Sequence, residues 1–165
     1  MTRDKHYRGV AGWISATIPV PKPGGLGWKI NGFMTRMHAR ILRRTRGRIG
    51  GTFDGAPLLV LHSTGAKTGE RRQNPTIYLP DGDKLVIVAS IGGNPNNPAW
   101  YHNLRAHPDD VEVDVRGHRR KVRARQASRE EAEALWPRLF TTYPPFQTYM
   151  TRTDREFPVM ILEPR

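Results

Sequence analysis

The segment from Val111 to Ala124 constrains this chain most, because it can be folded against itself in one self-consistent way. Turned about Gly117 and His118, it sets Asp114 opposite Lys121 and Glu112 opposite Arg123 on one face, and Val113 opposite Val122 and Val111 opposite Ala124 on the other. Opposite charges on a wet side and apolar pairs on a dry side are the mark of an antiparallel hairpin, and a slip of one residue would exchange the two faces. A chain holding such a hairpin is committed to an antiparallel sheet with its core on one side. The same pairing gives these arginines a structural task as partners of acids, rather than a role in binding nucleic acid.

Other segments extend the sheet. Leu58 to His62 is a short apolar run behind a proline, as suits a buried strand. Thr76–Leu79 and Leu85–Ala89 flank Pro80, Asp81, Gly82 and Asp83, and read as a hairpin closed by an Asp-Gly turn. Phe157 to Leu162 reads as a last strand. Ser128, Arg129, Glu130 and Glu131 form a capping box, which starts a helix running through Leu135 and Trp136 to about Thr141. Trp100, Tyr101 and Leu104 fit a short helix that Pro98 opens and Pro108 stops. Five or six antiparallel strands with a few helices beside them imply an α+β, barrel-like sheet.

Towards the N-terminus the pattern changes. Residues 1–27 end in Pro19, Pro21, Pro23, Gly24, Gly25 and Gly27, a composition that breaks helices and strands, and read as a loosely held arm. From Trp28 to Arg46, Ile30, Phe33, Met34, Met37, Ile41 and Leu42 recur at helical spacing, with Lys29, Arg36, Arg40, Arg43 and Arg44 largely elsewhere. This helix has three readings: docked on the core with a solvated basic face, lying on an anionic membrane, or covering an active site. With 165 residues, one core is enough, and residues 28–165 are expected to form a single unit.

The net charge of +12 calls for an anionic partner without choosing between nucleic acid, a membrane surface and a small phosphate- or carboxylate-bearing molecule. The absence of cysteine excludes disulfides, thiolate metal sites and cysteine nucleophiles, so redox work would need a borrowed cofactor. It also fits a reducing cytoplasm. No apolar run approaches the roughly 20 residues of a membrane span, and no signal-peptide order opens the chain. Neither nucleotide-binding glycine signature is present. The histidines form no i, i+4 pair near a carboxylate and no Gly-x-Ser-x-Gly elbow exists, so no metal site and no serine triad is expected.

One segment stands out chemically. Ser63-Thr64-Gly65-Ala66-Lys67-Thr68-Gly69-Glu70-Arg71-Arg72 joins two strands with hydroxyls, two glycines and three cations. Such a turn can present amides and positive side chains to an anion, and it also reads as an ordinary solvated hairpin loop.

This loop and the segments C-terminal to it resemble the deazaflavin-dependent nitroreductase family, whose members use reduced coenzyme F420. The matching pieces are Thr64-Gly65-Ala66-Lys67-Thr68-Gly69 with Arg72, Asn74-Pro75, Ala89-Ser90, Asn97-Pro98-Ala99-Trp100-Tyr101-His102-Asn103-Leu104, Trp136-Pro137 and Tyr143-Pro144. The resemblance covers roughly Pro57 to Pro164, and its specificity lies in the order and spacing of these pieces.

It implies a split β-barrel with the cofactor along one groove. Ser63, Thr64, Lys67, Thr68, Gly69 and Arg72 would bind the cofactor, the last four taking the phosphate and oligoglutamate tail. Pro75, Val88, Ala89, Ser90 and Ile91 would border the ring system or its ribityl chain, with Ala99, Trp100 and Tyr101 as a wall. Trp100 serves equally as core packing. The expected reaction is hydride transfer to a small, hydrophobic, electron-poor acceptor such as a quinone, an enone or a nitroaromatic. Tyr143 and Tyr149 are candidate proton donors and pocket walls, or plain aromatic packing. Phe146 lies in the substrate pocket where well-studied members have tyrosine. That departure argues against nitroimidazole-type activation and leaves quinone or enone reduction open. Ile91 stands where some members carry lysine. A flavin- or haem-binding split barrel and a basic nucleic-acid-binding module are the alternatives. The expected setting is cytoplasmic, with residues 28–46 able to hold the protein on the inner face of the cell membrane.

Overall fold

The computed structural model of the chain describes residues 51–165 and Met37, which is helical and exposed. The arm expected over 1–27 and, Met37 apart, the basic helix expected over 28–46 lie outside the described residues. Among the described residues seven strands are present: β1 (Thr52–Phe53), β2 (Ala56–Thr64), β3 (Arg71–Asp81), β4 (Lys84–Val88), β5 (Val111–Val115), β6 (His118–Gln126) and β7 (Val159–Pro164). Among residues 51–165, three α-helices accompany them: α1 (Ala99–Ala106), α2 (Arg129–Thr142) and α3 (Pro145–Met150). The strand order is β1-β2-β3-β4-β7-β6-β5, all described pairs are antiparallel, and β2 also pairs with β5. That last ladder, Val60 to Asp114, Leu61 to Val113 and His62 to Glu112, closes six strands into a barrel.

Side-chain alternation sorts the apolar residues into two cores. Leu59, Leu61, Leu85, Ile87, Val111, Val113, Val122, Met160 and Leu162 fill the interior, together with Trp100, Tyr101 and Leu104 of α1. Val86, Val88, Val159 and Ile161, on the opposite faces of β4 and β7, pack outside the barrel against Leu135 and Leu139 of α2 and Phe146 and Tyr149 of α3. Buried on both faces, β4 and β7 therefore read as continuous apolar runs rather than alternating ones.

The barrel is open at one place. Strand β4 reaches only as far along β3 as the Tyr78–Ile87 pair and ends at Val88, so Arg71–Ile77 pairs with β2 alone. Pro75, opposite Val60, falls in this stretch, where a missing N–H costs β3 no bond to β4.

Two turns differ from their sequence reading. The β5–β6 register is Val111 to Val122, Glu112 to Lys121, Val113 to Arg120 and Asp114 to Arg119, shifted by two residues from the expected pairing. The loop is Arg116-Gly117, both at positive φ, rather than Gly117-His118. A two-residue hairpin loop of this twist needs positive φ at both central positions, and glycine in the second of them meets it at least cost. A shift of two keeps each side chain on its face, so the division into wet and dry sides survives. The β3–β4 loop is likewise Gly82-Asp83, with Gly82 at φ +62°, rather than Asp-Gly. Glycine in the first central position suits the turn with positive φ there. The last strand begins at Val159, two residues later than expected.

The α2 capping box forms as read: Ser128 Oγ accepts from the Glu131 amide at 3.2 Å, and the Glu131 carboxylate accepts from the Ser128 amide at 2.8 Å. Glu131 also accepts from both terminal nitrogens of Arg125, at 2.7 and 2.8 Å, and Arg125 Nε donates to Glu163 at 2.9 Å, tying the start of α2 to β6 and β7. The Arg125 guanidinium, and after it the Ser128 amide, lower the Glu131 carboxyl from 4.5 to about 2. A carboxyl whose folded pKa is depressed stabilises the fold fully above its unfolded pKa. The contribution is then lost as pH falls from 4.5 towards about 2. Glu131→Gln should flatten the acid limb of the stability-versus-pH curve in that window, read by denaturant unfolding at a series of pH values. Ser128→Ala should lower stability by about 1 kcal/mol at neutral pH.

Candidate functional site

The cation-rich loop begins where β2 ends. Gly65 N donates to Glu70 O and Gly69 N to Gly65 O, both at 2.8 Å, which winds Gly65–Glu70 into a single turn. A Cβ at Gly65 would lie 2.6 Å from Thr68 Oγ1 and 3.3 Å from Glu70 O, so a side chain there would displace the Thr68 hydroxyl from its place in the turn. Among the described residues, no protein acceptor faces the Lys67 and Thr68 amides, as expected of the first amides in a helical turn. The cations divide by task. Arg71 bridges β3 to Asp110 at 2.9 Å and Glu112 at 3.1 Å. The Thr64 hydroxyl donates to Asp110, and with Arg71 it holds that carboxyl below the ordinary range. Among the described residues, Arg72 pairs only with the exposed Glu70, at 2.5 Å, and also reaches Thr68 Oγ1 at 3.3 Å. Lys67 is exposed and, among the described residues, has no acid partner.

The turn is anchored from beneath by a buried side chain. Asn103 of α1 accepts from the Ala66 amide at 2.9 Å and donates to the buried Ser63 Oγ at 3.3 Å. Sequence reading quoted Asn103 within its motif but gave it no role.

A second group lies where β4 gives way to α1. Val88, Ala89 and Ser90 are buried. They lead into a 3-10 turn, Ile91–Gly93, whose residues all have positive φ: 43°, 68° and 84°. A Cβ at Gly93 would fall 2.7 Å from the Tyr149 carbonyl oxygen, which brings this turn directly against α3. Arg155, which sequence reading passed over, holds the segment from below. It donates to the carbonyls of Ala89, Ser90 and Asn94 and to Asn97 Oδ1, while Arg152 donates to Gly92 O at 3.0 Å. Burial lowers the Arg155 pKa from its ordinary value. The guanidinium also stacks over the Phe157 ring, 4.8 Å from its centroid.

The third group is aromatic. Tyr143, Phe146 and Tyr149 are all buried, with Phe146 edge-on to Tyr143 at 5.0 Å and to Trp136 at 6.2 Å. The Tyr143 and Tyr149 hydroxyls hydrogen-bond each other at 2.9 Å. Arg152 lies over the Tyr149 ring at 5.3 Å.

Helix α1 joins the first two groups: Asn97, just before its start, meets the Arg155 clamp, and Asn103 meets the cationic turn about 6 Å along the axis from Ala99. Trp100 and Tyr101 between them face the barrel interior, Tyr101 Oη donating to Gln126 at 2.9 Å, while Ala99 is exposed. Pro75 lies half-buried on the open stretch of β3. Among the described residues, no group of three or more histidines and acids is placed to hold a metal.

Asn103→Ala leaves the Ala66 amide and the Ser63 hydroxyl without their partner. The loss should cost about 1–2 kcal/mol and lower Tm by about 2–6 °C. Trypsin should then cut after Lys67 faster than in the wild type, because the turn loses its anchor before the barrel does.

The F420H(2)-dependent quinone reductase family model matches residues 34–164. A protein named F420H(2)-dependent quinone reductase from Mycobacterium tuberculosis (strain ATCC 25618 / H37Rv) is 42% identical over 136 residues, covering 80% of this chain and 91% of the relative. Among solved structures, an F420-H2 dependent reductase superposes with a TM-score of 0.60 at 38% identity, covering 65% of this chain and 94% of the other. A structure described as a domain-swapped dimer superposes with a TM-score of 0.62 at 33% identity, covering 81% and 99%. Cationic turn, aromatic helix and split barrel thus occur together in a sequence matched along most of its length, and the chain belongs to the F420H(2)-dependent quinone reductase family.

Proposed function

We propose that this chain binds reduced coenzyme F420 and reduces a quinone with it, enones and nitroaromatics being acceptors of related chemistry. The observation that carries the reading is the Gly65–Glu70 turn. Among the described residues, a lysine without an acid partner, an arginine with one exposed partner, a hydroxyl and two amides without protein acceptors lie together there. This donor set fits phosphate and carboxylate oxygens, and the buried apolar and aromatic wall nearby fits a flat ring. Lys67, Thr68, Gly69 and Arg72 would hold the anionic end, with Ser63 and Thr64 shaping the root of the turn. Arg72 suits a pair of oxygens better than a lysine would, because its planar fork donates in parallel. Pro75, Val88, Ala89, Ser90 and Ile91, with Ala99, Trp100 and Tyr101, would border the ring.

Bound there, the reduced coenzyme supplies a hydride, so the chain needs no nucleophile of its own. Its residues orient, desolvate and manage the proton. A quinone that accepts hydride on one oxygen-bearing ring also needs a proton on the oxygen that becomes negative. The Tyr143–Tyr149 pair is our assignment for that proton: the two hydroxyls share a hydrogen bond, and one of them would donate to the quinone oxygen. Phe146 contributes an apolar face and no proton, which favours quinones over nitroimidazoles as acceptors.

The family match favours a deazaflavin over the flavin or haem of the alternative reading. Arg119, Arg123 and Arg125 on β6 are paired with acids, which weighs against a nucleic-acid-binding strand. The family match begins at residue 34, inside the expected basic helix, and supports a reductase unit spanning 28–165. Among the described residues, no helix is long and apolar enough to cross a membrane. We assign the basic face of residues 28–46 to a peripheral contact with an anionic membrane on its cytoplasmic side, where lipid-soluble quinones reside. Sedimentation with anionic vesicles at low salt checks this, and a chain that stays in the supernatant would end the idea.

Titration with oxidised F420, followed by its fluorescence, tests the main reading. Saturable binding is expected, with flavin mononucleotide failing to compete. Lys67→Ala combined with Arg72→Ala should raise Kd at least about tenfold, since two charge-assisted contacts are lost. Equal or better binding of the mononucleotide would overturn the assignment.

A further inference from the structure

The segments expected to border the ring are far apart in sequence, and Arg155 touches one of them, at Ala89 and Ser90, together with Asn97, two residues before another. Its Nη1 donates to Ala89 O at 3.1 Å and to Asn97 Oδ1 at 2.5 Å, its Nη2 to Ser90 O at 3.2 Å and Asn94 O at 2.9 Å, and its Nε to Asn94 O at 3.1 Å. A further bond reaches Glu156 O at 3.2 Å. We propose that Arg155 is a positioning residue, whose guanidinium fixes the Ala89–Asn97 loop in the shape that receives the deazaflavin ring. The inference rests on the F420 reading above and extends it to a residue outside the expected site.

Three observations support it. First, every acceptor is neutral: among the described residues no carboxylate pairs with Arg155, so its rigid fork of N–H donors is spent on the contour of one loop rather than on an ion pair. Second, that loop holds Ile91 at φ +43°, a backbone conformation that a β-branched residue keeps only when its surroundings impose it. Third, the clamp spans the site. Asn97 precedes α1, while the 3-10 turn packs on α3 at Gly93, and Arg152 adds a bond to Gly92 O. Releasing Arg155 would therefore loosen the ring border from both the α1 wall and the aromatic helix.

The test uses the full-length chain and two variants, Arg155→Lys and Asn97→Ala. Lysine keeps the charge but lacks the fork, so it can satisfy only part of the loop. Three quantities are read for each: Kd for oxidised F420, amide hydrogen exchange without cofactor, and the separate KM values for reduced F420 and for a water-soluble naphthoquinone. For Arg155→Lys, exchange should speed up within residues 89–97 while the barrel strands keep their protection. If the loop then holds its binding shape only about a tenth of the time, Kd rises about tenfold. KM should rise for F420 more than for the naphthoquinone. Asn97→Ala, which removes one acceptor, should shift the same readings less, and it decides the matter if Arg155→Lys does not fold.

An unchanged Kd in both variants, or exchange that rises throughout the barrel together with Kd, overturns the positioning role. In the second case Arg155 merely stabilises the fold. A wild-type chain that binds no F420 overturns the F420 reading and this inference together, whereas a wild type that binds while both variants bind equally well overturns this inference alone.

Discussion

Strand β2 is the element on which the rest depends, because it pairs along both of its edges. One edge carries β3 from Leu58 to Thr64, and the other takes β5 from Val60 to His62. That second ladder removes the free edges that a six-stranded open sheet would leave and forces the apolar residues into an inside and an outside. The inside is sealed by α1 through Trp100, Tyr101 and Leu104; the outside is sealed by α2 and α3 against β4 and β7. Once the barrel is closed in this way, the unpaired flank of β3 is where its wall is incomplete. The segment after Val88 leaves the sheet level with Ile77, at the end of that flank.

The two clusters beside the opening are held by the same physical device. Asn103 and Arg155 are polar side chains that bind the backbone of loops distant in sequence, each replacing water that a loop amide or carbonyl would otherwise require. A loop fixed by its own backbone polar groups has little freedom left to lose when a ligand arrives, which is how affinity is gained without further contacts. Helix α1 serves both clamps. Its eight residues would be marginal as an isolated helix, and packing of its apolar residues into the barrel interior holds it in place.

Legibility in the sequence followed the range of each interaction. The Ser128 capping box was readable because both bonds join residues three apart. The β5–β6 hairpin was readable as a hairpin, since its alternation is local, but its register was not. Charge pairing scores a shift of two nearly as well, and the Arg116-Gly117 turn, through its backbone angles, decides between them. The cationic turn was legible as chemistry, whereas the division of labour within it was not. Arg71 and Arg72 are adjacent and alike, and only the position of Asp110 and Glu112 across the β2–β5 ladder assigns Arg71 to structure. Arg155 left no sequence signal at all. Apart from Asn97, its distant partners are carbonyl oxygens of residues 61–66 positions away, and a carbonyl is common to every residue.

The same division bears on the chain's high positive charge. Many of the individual cations among the described residues are paired: Arg119 with Glu112, Arg125 with Glu131 and Glu163, Arg129 with Glu133, Arg138 with Asp81. Exposed pairs of this kind add little stability, and they leave the net charge of +12 as it is, since that figure already counts every acid: eleven of the cations and one of the acids lie in residues 1–50. In the turn itself, and among the described residues, Lys67 has no acid partner and Arg72 has a single exposed glutamate it can exchange for a better anion. The two halves of the site therefore answer differently to ionic strength. Contacts made by Lys67 and Arg72 lie in water and weaken as salt screens them, whereas the Arg155 clamp is half-buried, binds only neutral oxygens, and is screened far less. Anion affinity can thus be lost by degrees while the ring border keeps its shape, which separates the grip on the tail from the placement of the ring.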